Sequence, residues 1–505
     1  MKNKTIYIKA IIFCLALLTG CEDYLDIVPD RTQELSLLFN RKETAYNALA
    51  NCYSYLPQND GIWSTFVLAS DELTTPLAKE TDAVKIMKGQ QSASNPKMSY
   101  WSGYGAVGRG QGSLWEAIRS CNILIDNIDL VVDMDQVEKN EWKAEAGFLK
   151  AYFHFLLVTH YGPIPIVDTN LPISASDDEV RVSRNTVDEC FNYIVSTIDD
   201  AVQYLPERAS GSNDLGRVDQ VIAKAIKSRV LLFSASPLFN GNNEFYSGFT
   251  NLEGENFFNQ EYQLEKWQLA AEAANDAINA AIEQGASMYY FTGDVPTFDS
   301  NNYLNPIIKN QYDTRYAMTD PWNSEVLWGN SSPVQEWWQM QAGSLMKNPS
   351  ASSGEAAWQW IAPTMRMAEL YYTKNGLPID QDLTFEYDDR FSTTTIGYQQ
   401  GLIAQPGQRT AKLNLNREPR FYSSLAFDRG KSRTWGELWN LKMRKGESHG
   451  RNANTGDYLT TGYGLKKIVH PDSEGDAYSK IISYPWPLIR LSELYLNYAE
   501  ALNEL

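Results

Sequence analysis

The stretch Glu141–Tyr161 constrains the fold more than any other part of the chain. Trp142, Phe148, Leu149, Tyr152, Phe153, Phe155, Leu156 and Val158 put apolar side chains nearly all round a helix. A helix without a polar face has no side to give to water, so it must lie between other helices. Gly162-Pro163-Ile164-Pro165 stops it, since proline lacks the amide that would continue the ladder. The chain supplies the neighbours. Ala45, Leu49, Cys52, Tyr53 and Leu56 recur at helical spacing over Arg41–Leu56, ended by Pro57. A further helix is expected from about Ser113 to Val131. Thr186-x-x-Glu189 is a capping box, opening a helix whose stripe is Val187, Cys190, Phe191, Ile194, Ile198 and Ala201, stopped by Pro206. Val218–Ser234 follows Gly216. The last of this group carries Trp267, Ala270, Ala271, Ala274, Ala277, Ile278 and Ala281 and is closed by Gly285.

The expected fold is therefore mainly α. Small residues at facing positions fit antiparallel pairs in a tetratricopeptide-like array, although no literal repeat is legible. Residues 57–111 read as mostly irregular. Residues 286–484 lose periodicity except near Pro363–Lys374, and Gly, Pro, Asn and aromatic residues dominate. An irregular stretch of that length must pack on the helical half. Helical spacing returns at Leu488, Leu491, Tyr495, Tyr498 and Leu502. No stop signal follows, so a further helix is expected beyond Leu505. The expected organisation is a leader over residues 1–20, a tether over 21–40, a helical portion over 41–285 and a loop-rich portion over 286–505.

The leader reading rests on Lys2, Lys4 and Lys9 followed by the apolar stretch Ala10–Leu18. That stretch is too short for a bilayer, which needs about 20 apolar residues, and suits the apolar region of a secretory signal. Leu18-Thr19-Gly20-Cys21 resembles the bacterial lipobox, in which the cysteine sulfur is acylated and the chain is cut before it. Cys21 would then be the first mature residue, carrying lipid. Of five cysteines, Cys52, Cys121 and Cys190 remain, with no zinc spacing and no disulfide framework. The net charge is −18, and more negative once the leader lysines leave. Such a surface disfavours nucleic acid, whose binding needs dense Lys and Arg.

Several segments resemble the SusD/RagB family of Bacteroidetes surface lipoproteins. Cys21-Glu22-Asp23-Tyr24-Leu25-Asp26 with Pro29 is similar to that family's mature N-terminus. Ala144–Tyr152 leading to Tyr161-Gly162-Pro163-Ile164-Pro165, Gly216-Arg217 leading to Pro237–Gly241, Asn375–Ile379, Arg417–Tyr422 and Leu491–Ala501 resemble later parts in order. The resemblance implies tetratricopeptide-like helix pairs, placement on the outer membrane facing the exterior, and a SusC-type TonB-dependent barrel as partner. It implies capture of an oligosaccharide, or of a peptide in the RagB branch, with no cofactor. Glu22-Asp23 is similar to the export signal of such lipoproteins.

The candidate ligand residues are aromatic and polar side chains in loops, because sugars stack flat C–H faces on rings while their hydroxyls need polar partners. They are Tyr100, Trp101 and Tyr104 with Arg109, the pair Trp337-Trp338, and Asp71 beside Glu72. Adjacent tryptophans on a helix cannot share one face, so one of the pair is expected to be exposed. Trp358 and Trp360 would point the same way on a strand. Gly103-Tyr104-Gly105-Ala106-Val107-Gly108 satisfies G-x-G-x-x-G, but no apolar strand precedes it as a dinucleotide site requires. Asp380, Asp382 and Glu386 lack the spacing of a calcium loop. His154, His160, His449 and His470 show no metal spacing, and His154 is expected in the core.

Three functions compete at this level: a binding protein without chemistry, an exported glycoside hydrolase, and a scaffold that binds only protein. A hydrolase needs two carboxylates about 5–9.5 Å apart, and no catalytic motif stands out.

Overall fold

The structure is a computed structural model. It describes residues 38–505 except 59–60, 62–65, 104–111, 173, 210, 212, 294–305, 334, 346–355, 433–439 and 452–455. Helices α1 (Lys42–Ser54), α2 (Asp82–Met87), α3 (Leu114–Asn127), α4 (Gln136–Tyr161), α5 (Val187–Val202), α6 (Gln220–Ala235), α7 (Asn243–Tyr246) and α8 (Leu264–Glu283) make the first part. Then follow α9 (Pro306–Thr319), α10 (Glu336–Gln341), α11 (Met365–Leu370), α12 (Pro419–Ser424) and α13 (Leu491–Glu504). Among the described residues no helix is long and apolar enough to cross a membrane.

Local chemistry sets the helix ends. Ser113, Asp135 and Asp219 each accept a hydrogen bond from the backbone of the first turn of α3, α4 and α6, satisfying amides a helix start leaves without partners. Thr186 and Glu189 form the reciprocal capping box. Gly162 ends α4 at φ +73°, a backbone region that disfavours other residues. Successive long helices pack on one another: α3 on α4, α4 on α5, α5 on α6, α6 on α8. The central α4 buries Trp142, Phe148, Leu149, Phe153, Leu157 and Val158. This is the tetratricopeptide-like array.

The first part is tied by a buried ion pair. Glu145 on α4 accepts from Arg217, and also from the phenol of Tyr53 on α1. The Tyr53 oxygen accepts in turn from the Val218 amide at 2.9 Å. Burial pushes the Glu145 carboxyl up from its ordinary range, and the Arg217 guanidinium opposes that shift.

Residues 286–484 hold more order than the sequence suggests. Four antiparallel two-stranded ribbons occur among the described residues. They pair β1 (Leu73–Thr74) with β3 (Ala362–Pro363), and β2 (Val326–Asn330) with β8 (Trp486–Arg490). The other two pair β4 (Thr393–Thr395) with β5 (Arg409–Ala411), and β6 (Leu425–Phe427) with β7 (Tyr463–Leu465). Helix α9 escaped the periodicity reading because polar side chains share its buried face with Ile308, Tyr312 and Tyr316. Gln311 and Arg315 are 3% and 4% exposed, and the Arg315 guanidinium donates to the carbonyls of Ser432 and Val469.

The largest apolar core runs across residue 286. Trp328 on β2 is fully buried against Phe148 and Tyr152 of α4, and its indole donates to Gly216 O at 3.0 Å. The last helix α13 returns to pack on α8 and α6. Glu493 on it takes both oxygens to Arg229 of α6 at 2.6 and 2.7 Å. The stripe expected there is corrected. Leu488 lies in β8, and α13 buries Leu491, Leu494, Asn497 and Ala501 while Tyr495 and Leu502 are exposed. Ala501 packs in one cluster with Trp267, Ala270 and Ala271 of α8, with Tyr498 half-buried against it.

Two histidines are held neutral inside the fold. His154 Nδ1 donates to Lys150 O at 2.8 Å while Nε2 accepts from the Val167 amide at 3.2 Å. His449 Nδ1 accepts from the Lys442 amide at 3.1 Å. Burial pushes both imidazoles down from an ordinary 6.5 to about 4. The unfolded chain therefore binds these protons first as pH falls. Stability should be full above about pH 6.5 and lost progressively toward pH 4, by on the order of 3 kcal/mol per histidine. A urea midpoint that stays constant from pH 7 to pH 4 would contradict this.

Candidate functional site

The described aromatic candidates fall into two groups, each with a ring that reaches the surface. The first surrounds Trp101. Residues Ser99–Gly103 make a turn closed by the Gly103 amide on Ser99 O at 2.9 Å. The Trp101 amide donates to the Tyr161 phenol oxygen at 3.1 Å, so the end of α4 positions the turn. The Trp101 ring is 40% exposed and is met edge-on by Trp115 at 5.0 Å and Tyr161 at 5.5 Å. Two ring contacts hold it in place while part of it stays in solvent. It lines a cleft of about 590 Å³ with Ser92, Met98, Ser99, Ser102 and His160, an apolar floor edged by hydroxyls.

Tyr100 is not available to a ligand here. It is 2% exposed, packed between Phe66 at 5.0 Å and His160 at 4.7 Å. Burial raises its phenol pKa well above the ordinary value. Tyr104 and Arg109 lie outside the described residues. Gly103, at φ +79°, approaches the Gly112 backbone so closely that a Cβ would sit 2.6 Å from it. The residues before Gly103 form a turn, not a strand, which removes the dinucleotide reading. Asp71 is exposed, and its backbone oxygen accepts from Thr364 Oγ1 at 2.9 Å.

The second group is built on α10. Its two tryptophans divide as adjacent helical residues must: Trp337 is 40% exposed and Trp338 is 1% exposed. Trp338 stacks on Trp486 of β8 at 6.2 Å and 22°, so it serves the core and offers no face to a ligand. Trp337 lies 5.6 Å from Trp358, which lies 6.5 Å from Tyr478, itself 51% exposed. Trp358 and Trp360 are not on a strand. Gln359 between them has φ +60°, and Trp360 is buried while Trp358 is half-buried.

Buried glutamines fix the parts that carry these rings. Gln335 Nε2 donates to Tyr484 O at 2.9 Å, and Gln339 Nε2 to Ile482 O at 2.9 Å. Gln339 Oε1 accepts from Ser473 Oγ at 2.8 Å and from the His470 amide at 3.1 Å. These bonds sew α10 to the segment that bears Tyr478. The Trp358 amide donates to Met340 O at 3.0 Å, which ties the middle ring to the same helix. Sequence reasoning missed Tyr478, because no local pattern marks a residue whose partners lie over a hundred positions away.

Among the described residues no group of His, Cys, Asp and Glu could hold a metal ion. Asp382 instead organises its own loop, accepting from Thr373 Oγ1 at 2.6 Å, Thr384 Oγ1 at 2.7 Å and Asn375 Nδ2 at 2.9 Å. Those donors hold its carboxyl below the usual range.

Comparison with known proteins follows this geometry. A family model described as starch-binding, associating with the outer membrane, matches residues 23–232, and the SusD family model matches residues 324–505. The solved structure of the protein BT4246 is 28% identical, with a TM-score of 0.73, covering 92% of this chain and 79% of its own. A SusD-like protein from Bacteroides fragilis is 18% identical with a TM-score of 0.63, covering 92% and 75%. A SusD-like carbohydrate-binding protein from the same species is 18% identical with a TM-score of 0.59 and the same coverage. At that identity the last two speak for the fold alone. No curated protein matches the chain. With one family model on the helical part, another on the loop-rich part, and neighbours of the same architecture throughout, the chain belongs to the SusD/RagB family.

Proposed function

We propose that this chain is a lipid-anchored receptor that binds an oligosaccharide at the outer face of the outer membrane and hands it to a SusC-type TonB-dependent barrel, without cutting it. The observation that carries the reading is the row Trp337, Trp358 and Tyr478, exposed in part and bound to one rigid frame. Exposed ring faces suit the C–H faces of a glycan, and rings held by their neighbours lose little entropy on binding. Trp101, with the hydroxyls of its cleft, offers a further stacking face, and Asp71 an exposed acceptor. The described site contains stacking surfaces and hydrogen-bonding groups, which is what recognition needs. The family model over residues 23–232, described as starch-binding, supports the same reading.

The test is isothermal titration of the mature chain with a glycan panel, with reducing ends assayed in parallel. Heat with at least one glycan and no new reducing ends is expected. Trp337→Ala should weaken that binding by about 1–3 kcal/mol, the scale of one stacking contact. Trp338→Phe, a core change, should leave affinity nearly unchanged. New reducing ends would favour the hydrolase, heat only with peptides would favour a RagB-type receptor, and no heat at all would favour a protein scaffold.

A further inference from the structure

Three cysteines are described, all buried and all free. Cys190 on α5 donates its thiol to Ile164 O at 3.4 Å and stands apart. The other two face each other. Cys52 on α1 and Cys121 on α3 are both 0% exposed on helices that pack together, and burial first, then the neighbouring Cys52 thiol, push the Cys121 thiol up. The register of the two helices agrees. Asn51 Nδ2, one residue before Cys52, donates to Ser120 Oγ, one residue before Cys121, at 3.4 Å. Both sulfurs also lie near the Tyr55 phenol.

We propose that Cys52 and Cys121 are a disulfide site, closed when the chain folds in the presence of a disulfide oxidant. The step is two-electron thiol–disulfide exchange. One cysteine thiolate attacks the oxidant disulfide and forms a mixed disulfide, and the leaving thiolate takes up a proton. The second cysteine thiolate attacks the bonded cysteine sulfur, the S–S bond between the two cysteines forms, and a second oxidant thiol leaves. Two cysteine thiols are oxidised and one disulfide is reduced to two thiols. Attack needs thiolate and access, and the native pair has no exposure, so the bond forms before α1 closes onto α3. Afterwards the same burial protects it from reductant.

The placement gives the bond a mechanical use. Helix α1 buries only Ala45, Leu49 and Cys52 on its apolar stripe. It is the first long described helix after the tether, so a pull on the N-terminus acts on it before any other. A cross-link to α3 would pass that pull into the core. This use rests on the anchor reading above; the bond itself does not.

The test is peptide mapping without reductant. The full chain is reduced, unfolded and refolded with glutathione disulfide, then alkylated in denaturant and cut with trypsin. Residues 43–79 and 120–139 should appear as one joined species, lighter by two hydrogens than the two separate peptides, while Cys190 is alkylated. The oxidised chain should melt roughly 5 °C above the reduced one, as expected for closing a loop of this length in a chain of this size. Complete alkylation of both Cys52 and Cys121 after refolding would overturn the proposal. The chain isolated from its native membrane provides a second arm. A joined species there supports the proposal again. Free thiols there, with the bond present after refolding, would count against the export reading and leave the disulfide site standing.

Discussion

A Cys21→Ser chain should vanish from the outer-membrane fraction and take up no radiolabelled palmitate. The reasoning is one of magnitudes. Each buried methylene contributes about 0.8 kcal/mol, so a single acyl chain holds marginally and several hold effectively for good. No described helix could replace them, since none is long and apolar enough to cross a membrane. The acidic balance of the chain, −18 overall, opposes attachment to anionic headgroups. Removing the acylated sulfur therefore removes the whole proposed attachment rather than part of it. A serine variant that still sediments with outer membranes, or a native chain that fails to incorporate palmitate, would end the anchored-receptor reading.

Arg417→Met should lower the unfolding free energy by about 3–5 kcal/mol. Arg417 is 2% exposed and the described hydrogen bonds of its guanidinium all go to backbone carbonyls. Nε donates to Tyr372 O at 3.3 Å, Nη1 to Leu413 O at 2.8 Å, and Nη2 to Ala368 O at 2.7 Å and to Tyr371 O. The guanidinium lies 4.5 Å from the Phe421 ring centre. Burial pulls its pKa down to about 10, still high enough to keep it charged at neutral pH. It thus gathers the end of α11, the turn after it and the loop before α12 around a core of Ile379, Leu413, Phe421, Leu425 and Phe427. Methionine fills much of the volume but takes the described side-chain donor from the Leu413, Ala368 and Tyr371 carbonyls, while Tyr372 O keeps the Glu418 amide at 3.0 Å. Lysine should recover only part of the loss, because a single ammonium cannot reach four acceptors spread around a planar fork. The check is the urea midpoint of each variant, and a methionine variant within 1 kcal/mol of the parent on the scale of ordinary surface changes would remove Arg417 as a fastener.

These two sites differ in how they show themselves. The proposed lipid site at Cys21 comes from a local signal: charge, a short apolar run and four residues in a row. Arg417 lies in a segment that resembles the family, yet nothing in Arg417–Tyr422 says that its guanidinium faces inward. Only the fold brings Tyr372, Leu413 and Ala368 to it. The same contrast runs through the aromatic residues. Spacing alone requires Trp337 and Trp338 to face different ways, but β8 decides which is buried by bringing Trp486 onto Trp338. Tyr100 and Trp101 look equivalent in a loop, and the packing of Phe66 and His160 takes one of them inside.

The sequence by itself determined the long helices α1, α3, α4, α5, α6 and α8, the stops at Gly162 and Gly285, and the capping box at Thr186. Those features depend on residues within one or two turns of each other, so the chain states them locally. The tertiary structure alone decided the ribbons, helix α9 with its buried Gln311 and Arg315, the burial register of α13 and the meeting of Trp337, Trp358 and Tyr478. Each of these is set by hydrogen bonds and ring contacts between residues far apart in the chain, and no apolar period or cap records a partner that distant.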